Sequence, residues 1–127
     1  MPTASPSLRD IVGLGHEPAQ LHDSALIMID LQNTYRRGVM QLTGDEQALT
    51  EAAKLLEIAR DLKVPVFHIQ HDGGPGSPYD VNAEIGAISE EVAPIAGEPV
   101  ITKNYPNSFV QTDLDERLKA IGIQKIM

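Results

Sequence analysis

Three residues with useful chemistry stand at or just past the ends of apolar runs that read as strands. Asp30 follows ALIMI (25–29), His71 comes two residues after VPVFHI (64–69), and Lys103 follows EPVIT (98–102). In open α/β sheets ligands gather outside the carboxyl ends of the strands, so each residue is a candidate for a site there. A carboxylate and an ammonium at neighbouring strand ends suit proton transfer, because the lysine keeps the acid ionised and able to accept a proton. Each also has a plainer reading. Asp30 could cap a turn or a helix, and Lys103 could be one more solvated lysine. As a pair they point to acid–base work.

Other polar residues offer less. His68 and His71 lie three apart, and in extended chain that spacing points them to opposite faces, which sets them against a shared metal ion. His68 reads as a hydrogen-bonded core residue and His71 as a substrate contact; no metal is expected. Gly73, Gly74 and Gly76 match neither a dinucleotide-binding nor a phosphate-loop spacing, so no cofactor is expected and the segment reads as a flexible rim loop. Tyr105 and Phe109, close after Lys103, are candidates to line a pocket, with packing the better account of Phe109.

The elements that would position these residues follow from the hydrophobic pattern. Residues 1–23 are rich in Pro, Ser and Gly without a sustained period and read as a surface arm. The run 25–29 is short and apolar throughout, as in a parallel strand buried on both faces. Asp45 can cap a helix ending near Leu62, with Leu49, Ala52, Ala53, Leu56 and Ala59 in one stripe. A second strand over 64–69 completes a βαβ unit, and turn residues over 71–78 close it. A weaker helical pattern covers 83–92, a third strand 98–102. Thr112 with Asp115 resembles a capping box opening a short helix that stops before Gly122. A fourth strand begins at Gln124. The class is α/β with a mostly parallel sheet, and residues 24–127 form one domain.

Composition narrows the function. The chain has 127 residues, 42% of them hydrophobic, enough for a core. A net charge of −8, with Arg36–Arg37 the nearest thing to a basic cluster, argues against nucleic acid and anionic membrane surfaces. No apolar run approaches the roughly 20 residues of a membrane helix. Residues 1–7 lack the basic start and apolar stretch of a secretory signal, so a cytoplasmic location is expected. There is no cysteine, which excludes disulfides, thiolate metal sites and a cysteine nucleophile within these residues.

The stretches ALIMIDLQN (25–33), VFHIQHDGGPGSPYD (66–80) and EPVITKNYPNSFVQTDLDERLKAIGI (98–123), in this order, resemble the isochorismatase-like cysteine hydrolases. The similarity runs from about residue 24 to the last. It implies a Rossmann-like three-layer α/β/α fold with six mostly parallel strands. It also implies a small-molecule substrate and a homo-oligomer. Family members include nicotinamidases, carbamoylsarcosine-type and streptothricin-type amide hydrolases, and isochorismatases that cleave a vinyl ether. In the amidases an aspartate, a lysine and a cysteine form a triad. By match of motif Asp30 would be the aspartate, exchanging a proton with the thiol and then the leaving amine, and Lys103 the lysine. Gln32, His71 and Tyr105 would contact substrate. The family's cysteine follows the fourth strand, so the resemblance implies about the first two thirds of such a hydrolase, interrupted within that strand. The nicotinamidase metal site uses an aspartate and histidines after the second strand, where only His71 and Asp72 stand here. Two other readings stay open: a cysteine-independent vinyl-ether hydrolase, and a catalytically inactive assembly module that binds a partner through an exposed sheet edge.

Overall fold

The computed structural model describes residues 5–13, 18 and 20–127. Strands β1 (Ser24–Ile29), β2 (Val66–His71), β3 (Val100–Lys103) and β4 (Lys125–Ile126) form one parallel sheet in the order β3-β2-β1-β4. Helices α1 (Leu8–Val12), α2 (Asp45–Asp61) and α3 (Leu114–Ala120) complete the regular elements.

The two-sided burial of β1 follows from its uninterrupted apolar run. Leu26 and Met28 pack with Leu49, Leu56 and Ala59 of α2, while Ala25 and Ile27 pack with Leu114 and Leu118 of α3. Alternate residues thus serve the two faces of one sheet. The chain lays β1, β2 and β3 side by side, then crosses back to place β4 on the other flank of β1. That reversal puts a switch point at the carboxyl end of β1, the place where such sheets hold ligands.

Boundaries differ from the sequence reading for identifiable reasons. The second strand starts at Val66 rather than residue 64, because the preceding residues close α2. The Val64 amide donates to the Ala59 carbonyl at 2.9 Å and Lys63 to Arg60 at 3.1 Å, with Lys63 left-handed at φ 58°. This is the two-bond helix stop that normally uses glycine. The third strand is Val100–Lys103, two residues later at its start.

The helical pattern over 83–92 resolves into two 3₁₀ turns, Glu84–Gly86 and Glu90–Val92, joined by an isolated antiparallel bridge from Ile88 to Gln32. Its carbonyls have partners elsewhere. The Asn33 amide donates to Ala87, the Asn33 side chain to Glu84, and the Gln32 side chain to Gly86. The capping box at Thr112 does not form either: its hydroxyl donates backwards to the Ser108 carbonyl at 2.6 Å, and α3 starts from Asp113 with no side-chain cap. Part of the expected arm over 1–23 lies outside the described residues. Within the described part, Ser7 and Asp10 exchange hydrogen bonds that cap α1.

Candidate functional site

Asp30 is the first residue past β1, and its amide still donates to Ile69 of β2 at 2.9 Å. It turns left-handed, at φ 57°, where a residue with a Cβ is strained by about 1 kcal/mol or more. Lys103 ends β3, two strands away. It is only 3% exposed, and its Nζ lies 3.2 Å from Asp30 Oδ2 and donates to the Pro106 carbonyl at 3.2 Å. A lysine so buried requires such partners, which removes the reading of Lys103 as an ordinary surface cation. The other Asp30 oxygen, Oδ1, is buried and accepts no hydrogen bond from the described residues.

His71 lies between them at the end of β2, paired in register with Lys103. Gln32 holds its backbone from both sides: Oε1 accepts from the His71 amide at 2.9 Å, and Nε2 donates to the His71 carbonyl at 3.0 Å. The same Nε2 donates to Gly86 at 2.7 Å. Gln32 is therefore committed to backbone, and the geometry makes it a brace for the site where a substrate contact was expected.

Two tyrosines complete the pocket. Tyr35 sits in a 3₁₀ turn, Asn33–Tyr35, and Tyr79 in the loop after β2. Their hydroxyls are 2.8 Å apart and their rings meet edge to face at 5.8 Å. The His71 ring packs edge-on against Tyr79 at 5.0 Å. Burial, then the Tyr79 hydroxyl, then the charge of Asp30 push the Tyr35 hydroxyl well above the ordinary range, so it stays a neutral phenol. Asp30, Tyr35, His71, Tyr79, Lys103 and Pro106 line an open pocket of about 280 Å³. Tyr105 does not reach it. Tyr105 and Phe109, each 43% exposed, are not among the residues that line it. A larger hollow of about 640 Å³ adjoins Arg36 and Arg37. Its arginines are already matched: Arg36 with Glu46 and Glu91, Arg37 with Glu84.

The loop over 72–80, expected to be flexible, is closely bonded. Gly74 donates to Asp72, Gly76 to Asp80, and Gly73 to the Tyr79 carbonyl. Thr34, fully buried, donates to the Pro78 carbonyl at 2.7 Å. Gly86 lies so near that an added Cβ would collide with the Asp80 carbonyl oxygen. The sequence reading missed Tyr35 and Tyr79. The available signal was weak: an aromatic five residues past Asp30 and another inside a Gly/Pro loop just past a strand end.

Among the described residues no helix is long and apolar enough to cross a membrane. Comparison with known proteins matches residues 24–127 to the isochorismatase domain. The isochorismatase family protein YddQ of Bacillus subtilis is 42% identical over 107 residues, 82% of this chain and 59% of that protein. The maleamate amidohydrolase of Pseudomonas putida is 30% identical over 139 residues, covering 91% of this chain and 60% of the enzyme. The crystal structure of an isochorismatase from Pseudomonas putida superposes with a TM-score of 0.87 at 32% identity, over 97% of this chain and 63% of that one. The chain thus spans about three fifths of the length of the curated relatives it matches.

Proposed function

Because the chain belongs to the isochorismatase family of hydrolases, we propose that the cavity at Asp30 and Lys103 hydrolyses a C–N bond of a small amide, with Asp30 as the proton carrier. One observation carries this reading: the Asp30 carboxylate lines the pocket with one oxygen 3.2 Å from the Lys103 ammonium, and its other oxygen accepts no hydrogen bond from the described residues. An acceptor in that state is ready for a proton from a reacting group. The likeness to an amidohydrolase supports the choice of bond.

The 127 residues contain no cysteine, so the thiol of the family mechanism comes from outside them. Its S–H proton passes to Asp30 as sulfur bonds to the amide carbonyl carbon. The tetrahedral intermediate then collapses, the C–N bond breaks, and Asp30 returns the proton to the leaving nitrogen. Water next adds to the thioester carbonyl, giving a proton to Asp30. The C–S bond breaks, the acid departs, and the thiol is regenerated by that proton. Lys103 stabilises the carboxylate between the two transfers.

A second reading has one observation in its favour. Cleavage of a vinyl ether needs an acid and no thiol, and these residues hold none. The ion pair with Lys103 fits a proton acceptor better than a donor, which ranks it second. The test is release of amine or ammonia from a panel of small amides by the full chain as its gene encodes it, beside its Asp30→Asn variant. Release that the variant loses supports amide hydrolysis. A variant at the parent rate overturns it, and a chain inert on amides but active on vinyl ethers moves to the second reading.

A further inference from the structure

We propose that Thr34 is a positioning residue for the pocket: the turn that follows Asp30 also sets the opposite wall, and the Thr34 hydroxyl holds Tyr79 in place through the carbonyl of Pro78. This rests on the reading of the pocket as a substrate site and deepens it by assigning what builds that site.

The argument starts from where the loop after β2 finds its partners. Many of its own bonds are local: Gly74 to Asp72, Ser77 to Gly74, Tyr79 to Ser77 and Asn82 to Asp80. Such bonds shape a loop without fixing it against the sheet. Among the described residues, the hydrogen bonds that join 77–89 to the chain outside 72–92 all go to residues 31–35. The Ser89 amide donates to the Leu31 carbonyl at 2.8 Å, and the Asn33 amide to the Ala87 carbonyl at 2.9 Å. The Gln32 side chain donates to Gly86 and that of Asn33 to Glu84, while the Ser89 hydroxyl donates back to Asn33 Oδ1 at 2.9 Å. The Tyr35 and Tyr79 hydroxyls close the set.

The burial of these residues shows what the bonds are for. Gln32, Asn33 and Thr34 are three consecutive polar side chains, all buried, which is costly unless each is matched. Each is matched on the backbone of the same loop, whose carbonyls have no ladder to join. Five residues directly after Asp30 thus carry the wall that faces it.

Thr34 has the most direct hold on that wall. Its hydroxyl has one proton to give, with the Pro78 carbonyl at 2.7 Å and the Ile85 carbonyl at 3.3 Å. The Pro78 carbonyl belongs to the planar peptide unit that leads into Tyr79, so the bond orients the backbone from which that ring departs. The ring then packs edge-on against Tyr35, the neighbour of Thr34, and against His71. All three of these rings line the pocket. Losing the hydroxyl should therefore displace a wall while leaving Asp30 and Lys103 where they are.

The experiment compares Thr34→Val, which keeps the shape and removes the donor, with Thr34→Ser, which keeps the donor, in the full chain as its gene encodes it. Glu98→Gln, at the far end of the sheet, serves as a comparator that is destabilised elsewhere. Amide hydrogen exchange and the separate KM and kcat for amide hydrolysis are measured. In Thr34→Val, exchange over 77–86 should accelerate by about fivefold, the effect of one neutral hydrogen bond, with α2 and β1 unchanged. KM should rise by a similar factor with kcat within about twofold, and Thr34→Ser should recover most of both losses. Glu98→Gln should move neither KM nor exchange in the loop relative to α2. Unchanged loop exchange in Thr34→Val, exchange raised equally in α2, Thr34→Ser behaving as Thr34→Val, or loosened exchange with KM unchanged would each overturn the proposal. If Thr34→Val does not fold, Asn33→Ala, which removes the tether to Glu84, is judged by the same loop exchange and KM. In a chain that hydrolyses no amide the exchange pattern alone decides, so the proposed reaction can fail while this inference stands.

Discussion

Among the described residues, two carboxylates are held in part-buried ion pairs at opposite ends of the sheet, and only one of them has partners on both oxygens. At the amino end of β3, Glu98 takes both guanidinium bonds of Arg60, at 2.8 and 2.7 Å, the His68 ring at 2.8 Å and the Ile95 amide at 3.2 Å. Both oxygens of that carboxylate have partners. At the carboxyl ends of the same strands, Asp30 meets Lys103 through one oxygen and leaves the other bare. A saturated network joins helix α2 to the sheet and has nothing left to offer a ligand. An unsaturated one, with a cavity in front of it, retains reactivity at a cost in stability. On the proposed function, the same residue types divide into support and chemistry by how completely they are matched.

Substitutions can test that division, and the largest effect belongs to the unfinished pair. Asp30→Asn should lower the hydrolysis rate of the full chain by about 10²-fold or more, while circular dichroism shows a retained fold. A rate within twofold of the parent would place Asp30 with the structural charges.

Glu98→Gln should do the reverse, lowering unfolding free energy by about 3 kcal/mol in urea with turnover nearly unchanged. Its pH signature has a definite sign. Arg60 first, with His68 and the Ile95 amide, holds the Glu98 carboxyl down from 4.5 to about 2, against the opposing effect of burial. A depressed folded value contributes stability that is complete above the unfolded value near 4.5 and is lost as pH falls toward about 2. About 3 kcal/mol should therefore disappear across that window, and Glu98→Gln should flatten the slope. An equally steep slope in the variant would assign the acid sensitivity to other carboxylates.

Gly86→Ala comes next. Its methyl would meet the Asp80 backbone, which should cost about 1–3 kcal/mol. Because Asp80 adjoins Tyr79, which lines the pocket, the shift should also lower turnover by the full chain. Loss of stability with turnover intact would separate the loop anchor from the pocket. The smallest change is Lys63→Gly. Relief of the left-handed lysine that closes α2 should raise stability by about 1 kcal/mol and leave the site alone.

Much of this was readable in the chain. The strand-end rule found Asp30 and Lys103 because it is local: an apolar run followed at once by a charge. The stripe Leu49, Ala52, Ala53, Leu56, Ala59 located α2 for the same reason. Gln32 stood out as polar next to the site, but its role as a brace depends on His71 and Gly86, 39 and 54 residues away. Tyr105 was drawn in by nearness in sequence to Lys103, and the turn after β3 leaves its ring exposed. Tyr79 was passed over because its loop reads as flexible, and only the contacts from Thr34 and Gly86 hold it in place.

Sequence by itself determined the class of fold, the order of the four strands and of helices α2 and α3 along the chain, and the charged residues at two strand ends. Those properties are encoded in hydrophobic period and immediate neighbours. Tertiary structure alone decided which tyrosine faces which, that Lys103 is buried against Asp30, and which carboxylate goes unmatched. Such matters depend on pairs dozens of residues apart meeting within about 3 Å, and no local pattern of residues carries that distance.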